Sequence, residues 1–257
     1  MIWAGVLRAP CGAIADDPDA RLVDRVGGLG DNHEVAKVRM VGAAGGALFA
    51  MLVVAALAIA PGPSSASGVD VVEYYSTHKH ATLWQAALIG IAVVLFIWFV
   101  ETFAWRVSSG SVGLVGAAVT AALYLVAFGA WESLAETYGG TATVDVPREG
   151  YGDAHVLYDV GVGATHFANF SAAAFVGASA VALFTTVPPR RRLAWIGVAL
   201  TAVQLVNGPL QLFATSDWSD VVGVTVFLGF LAWVFALSAV LVLGMRRDTS
   251  SHSRSSA

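Results

Sequence analysis

Six stretches of about 20 residues run along this chain almost without a charge. The first extends from Val41 to Ala60 and stops at Pro61-Gly62-Pro63; the second, from Leu83 to Ala104, carries Glu101 near its end. The third covers Val112 to Trp131, and the fourth Phe170 to Val187, stopped by Pro188-Pro189. The fifth covers Leu193 to Ala214 and the sixth Val221 to Met245. A membrane-crossing helix needs about 20 mostly apolar residues. Inside hydrocarbon every backbone group must be bonded within the protein, which leaves helices or closed barrels. Barrel strands alternate apolar and polar residues over about 10 positions, and no such alternation occurs here. The reading is an all-α, polytopic membrane bundle of six transmembrane helices.

Composition excludes the alternatives. Hydrophobic residues make up 57% and charged residues 12%, where soluble domains carry about 25% charged, and the mean hydropathy is +0.71. A net charge of -4 with 14 dispersed basic residues gives nucleic acid no basic surface to meet. The lone cysteine, Cys11, rules out an internal disulfide, a cysteine-based zinc or iron–sulfur centre, and c-type haem attachment. No cofactor is expected.

Orientation follows from the basic residues. In a six-span threading, twelve of the fourteen fall on the side of the two termini, and only Lys79 and Arg148 on the other. Acidic residues collect opposite the termini: Asp70, Glu73, Asp145, Glu149, Asp153, Asp217 and Asp220. Both termini are therefore expected in the cytoplasm. Only Lys37 and Lys79 are lysines. With so much Ala, Val and Gly, that suggests GC-rich codons and a bacterial cytoplasmic (plasma) membrane. The expected domains are a cytoplasmic, disordered tail over 1–39, the six-helix domain over 40–246 and a disordered tail over 247–257. Two other readings concern the start: translation beginning near Met40, or a first span that acts as a secretory signal, since Lys37 and Arg39 precede it and Ser64-Ser65-Ala66-Ser67 follows.

Three stretches carry a resemblance. Val71-Val72-Glu73-Tyr74-Tyr75-Ser76 precedes the second span, Leu157-Tyr158-Asp159-Val160-Gly161 opens the fourth, and Pro188 to Gly197 links the fourth to the fifth. Over about residues 40–246 the layout resembles a group of uncharacterised six-helix bacterial membrane proteins, though the order of residues in the last stretch departs from theirs. The resemblance implies the fold and the membrane location, and no activity.

Polar residues in or beside spans are costly and mark sites to examine. On the fourth helix His155, Asp159, His166 and Asn169 share one stripe, within about 80° of arc at 100° per residue. From Ala154 to Val187 that helix would be about 51 Å long, against about 30 Å of hydrocarbon, so its start protrudes. The fifth helix adds Gln204, Asn207 and Gln211 on one face, with Gly208-Pro209 between. Glu132 ends the third span. Asp159, His166, Asn169, Asn207, Gln211 and Glu132 form the candidate ligand set, Asp159 supplying negative charge and His166 a proton switch. His78, His80 and His155 are weak metal candidates. Gly42, Gly46 and Ala50 form a small-residue seam for packing within the chain or for self-association. No nucleophile elbow, Walker loop, zinc-protease helix or dinucleotide fingerprint occurs. These features suggest a lipid-embedded protein that binds or passes a small polar solute or cation. The alternatives are a structural or accessory subunit and a metal-dependent membrane enzyme.

Overall fold

The computed structural model describes residues 20–63, 66–107, 111–141, 146–186, 191–213 and 217–255. For 20–37, 107, 185–186, 209, 211–213, 217–220 and 246–255 it describes the backbone alone. Six helices follow one another: α1 (Ala20–Ile59), α2 (Gly68–Val107), α3 (Ser111–Tyr138), α4 (Arg148–Thr186), α5 (Arg191–Phe213) and α6 (Asp217–Ser255). Among the described residues there is no strand. The chain divides into a unit of residues 1–38 and a compact unit of residues 39–257, and the second unit contains the helical bundle.

Local chemistry sets the helix ends. Pro61 and Pro63 cannot continue α1, and Gly62 turns the chain with a φ of 96°. Ser67 caps α2: its hydroxyl accepts the amide of Asp70 at 3.2 Å, three residues on, as an N-cap serine does. Asp70 itself lies in the first turn, where the helix dipole favours a carboxylate. At the far end of α3, Gly140 takes a φ of 86°, the left-handed conformation that terminates many helices. Helical backbone also runs through the polar ends, from Ala20 and on to Ser255. Extending a helix already nucleated adds one hydrogen bond per residue fixed.

Five helices, among the described residues, are long and apolar enough to cross a membrane: Val38–Ile59, Gly68–Arg106, Ser111–Tyr138, Arg148–Phe184 and Val221–Met245. At Pro209 and from Gln211 on, α5 is described by its backbone alone. Its 23 residues would reach about 35 Å at 1.5 Å each, so it is long enough. Arg191 and Arg192 stand at its start, and from Leu193 to Leu210 it carries no charge. The six expected spans are six helices, five of them apolar enough to cross over their described residues.

Packing follows the antiparallel order that short connections impose. Phe96 of α2 is the hub. Its ring lies 4.8 Å from Phe49 of α1, 5.7 Å from Phe175 of α4 and 5.9 Å from Phe230 of α6. Helix α3 lies on α2 and α4, and α5 on α4 and α6. The seam Gly42, Gly46 and Ala50 is used inside the chain. A side-chain carbon at Gly46 would come 2.7 Å from the Phe99 ring, and one at Gly42 would meet Thr102, while Ala50 is buried. Outward, Val94, Val115 and Ile196 are more than half exposed, as a lipid-facing surface requires.

Candidate binding site

At 40 and 39 residues, α2 and α4 would be about 60 Å long, twice the hydrocarbon thickness. Their surplus lies at one end. The first turns of α2, the last turns of α3 and the first turns of α4 pack there around a second, smaller core of Val71, Val72, Tyr75, Leu134, Ala135 and Ala154. Five of the six tyrosines of the chain belong to this cap or border it: Tyr74, Tyr75, Tyr138, Tyr151 and Tyr158. Backbone bonds fasten it, with the Gly140 amide donating to the Ser76 carbonyl and the Tyr138 hydroxyl to the Gly150 carbonyl at 2.9 Å.

The cap takes up the histidine candidates. His155 Nε2 lies 3.4 Å from the Asp159 carboxylate, and its Nδ1 lies 2.6 Å from the carbonyl of Ala66. Each ring nitrogen therefore faces an acceptor. This ties the α1–α2 connection to α4, and it is His155 rather than His166 that Asp159 meets. His78 marks a break in α2, with φ -109° and ψ 20°. Its Nδ1 is 3.0 Å from the Tyr74 carbonyl, and its ring stacks on Tyr74 at 4.5 Å. His80 is exposed. Among the described residues no three His, Cys, Asp or Glu side chains come together, so the metal candidates do not form a ligand set.

Below the cap the polar groups turn inward. Asn169 is 6% exposed and accepts a hydrogen bond from the Tyr124 hydroxyl at 3.3 Å. Next to it Thr120 of α3 and Ser171 of α4 share a bond of 2.8 Å. On α5, Gln204 and Asn207 are 0% and 2% exposed. Among the described residues neither amide has a partner at its nitrogen or its oxygen. The approaches of Gly177 to Thr201 and of Gly208 to Phe170 set an antiparallel register that brings Asn207 level with Ser171. Tyr124, Asn169, Ser171, Gln204 and Asn207 thus lie within about two turns along the bundle. Counted from Thr186, they occupy the half of the membrane nearer the cap. Among the described residues no charged side chain belongs to this layer.

The six candidates therefore divide. Asp159 belongs to the cap surface, about 15 Å along α4 from Asn169, too far for one small solute to touch both. His166 is half-buried between them. Glu132 is exposed, apart from the layer. Asn169 and Asn207 are in it, and the side chain of Gln211 lies outside the described residues. Sequence reasoning missed Tyr124 as a member. The signal was present: it is the one tyrosine in mid-span, and a buried tyrosine needs a bond for its hydroxyl.

No known family model, characterised protein or solved structure matches the chain, so its function is read from its own residues.

Proposed function

We propose that this is a multi-pass protein of a bacterial cytoplasmic membrane, with both termini in the cytoplasm. In this reading its buried amide layer binds a small, uncharged polar solute reaching it from the cap side. The orientation rests on the arginine-rich segments at the end opposite the cap. One observation carries the binding reading: four buried polar atoms, on Gln204 and Asn207, have no partner among the described residues. An unmatched buried donor or acceptor costs about 1–3 kcal/mol, and a solute offering both kinds of group removes that cost. The absence of charge in the layer favours a neutral solute over a cation. Helix glue is the rival reading, and it has support elsewhere in the bundle, where the Trp233 indole donates to Ser179 at 3.0 Å.

The test is the melting temperature of purified protein titrated with glycerol, urea, acetamide, sodium chloride and potassium chloride. A solute at 100 times its Kd stabilises by about 2.7 kcal/mol. The expected result is a saturable rise with one of the neutral solutes, lost in both Gln204→Leu and Asn207→Leu. Wild type indifferent to all five, with both variants destabilised, would leave the structural reading in place.

A further inference from the structure

At the end opposite the cap, α2 and α3 leave a lateral groove of about 410 Å³. Its walls are apolar, from Ile97, Val100, Leu114 and Ala118, with a single exception, Glu101. Glu101 is exposed and has no hydrogen-bond or ion-pair partner among the described residues. A carboxylate without a partner at the edge of hydrocarbon is expensive. Depth is marked by tryptophan. Trp98 and Trp105 flank Glu101 along the helix at 37% and 55% exposure, and exposed tryptophans favour the headgroup level. One turn beyond Glu101, Trp105 carries a cation: the Arg39 guanidinium carbon sits 3.2 Å above its ring centroid. One edge of the bundle thus presents an apolar slot, a carboxylate and, stacked on the tryptophan one helical turn further along α2, a guanidinium.

We propose that this edge binds phosphatidylethanolamine. An acyl chain fills the slot, the ammonium meets Glu101, and the phosphate meets Arg39. Charge order distinguishes this lipid from its neighbours. Phosphatidylglycerol brings no cation for Glu101. The methylated ammonium of phosphatidylcholine has no N–H to donate to a carboxylate. This inference is independent of the amide layer, which lies towards the other end of the bundle.

Native mass spectrometry of the full chain tests it, after exchange into detergent with equimolar phosphatidylethanolamine, phosphatidylcholine and phosphatidylglycerol. The wild type should retain phosphatidylethanolamine at least fivefold over either competitor. Glu101→Gln should reduce that ratio to about one, and Ala118→Phe, which fills the slot and leaves both charges, should cut retention of all three lipids. Equal retention of the three lipids by the wild type overturns the proposal. So does an undiminished preference in Glu101→Gln, or a second protein copy held there in place of lipid.

Discussion

Gly116 measures how closely α3 and α4 approach. A side-chain carbon there would lie 2.8 Å from Ala174, 2.9 Å from the backbone nitrogen of Phe175 and 3.1 Å from the carbonyl of Ser171. Two of those three atoms are backbone, which cannot swing aside, so Gly116→Ala must move a helix. Overpacking of this kind costs about 1–3 kcal/mol. On the same helix Gly129 has nothing within 4 Å, and Gly129→Ala is expected to be neutral or slightly stabilising through helix propensity. Reversible unfolding in mixed micelles should separate the two. Equal loss of stability would mean that the close approach at Gly116 does not exist in the folded protein. The same approach brings Thr120 to Ser171 and Tyr124 to Asn169. Those partners are 51 and 45 residues apart, which is why no local pattern in the sequence announces them. Asn169 was legible as a costly polar residue; its partner was legible only as a tyrosine out of place.

Elements differ in what holds them. Within hydrocarbon, lipid tails are as apolar as leucine, so burial between helices gains packing but little transfer free energy. The cap is held as a water-soluble core is. Leu134 is fully buried in the cap, and Leu183 is 1% exposed in the span of α4. Leu134→Ala should therefore cost about 2–5 kcal/mol, as in soluble cores, and Leu183→Ala roughly half of that or less. Unfolding free energies of the two variants check this, and a larger loss at Leu183 would contradict a cap standing clear of lipid. The overhang itself was legible, because the length of α4 exceeds any bilayer. That three overhanging ends share one core was not. Val71, Val72 and Tyr75 show a short amphipathic face, but the leucine and alanines it meets come from the other two helices.

For the whole molecule the open choice is whether α5 crosses. Apolar runs and loop charges made the six-helix order legible, and they counted α5 with the rest. Arg191 and Arg192 stand at its start and Leu193 to Leu210 carry no charge, so it is expected to cross. Single cysteines in a Cys11→Ser background resolve this. Gly152, exposed in the cap with open space around it, takes one cysteine, and Thr249 the other. With six crossings and an outward cap, an impermeant thiol reagent labels Gly152→Cys in intact cells and spares Thr249→Cys. Labelling of both would mean that α5 folds back without crossing.

Ser238 gives the bundle an order in time. Its hydroxyl accepts the amide of Ala47 at 3.1 Å and donates to the carbonyl of Ala43, joining the first helix to the last across 191 residues of sequence. A ribosome adds about 5–20 residues per second, so α1 waits roughly 10–40 s after its own synthesis for this partner. Over that interval its contacts with α2, the glycine face and Phe49 on Phe96, are already available to it. The seam at Gly42 and Gly46 can form as soon as α2 is made, whereas the serine bonds only when the chain is nearly finished.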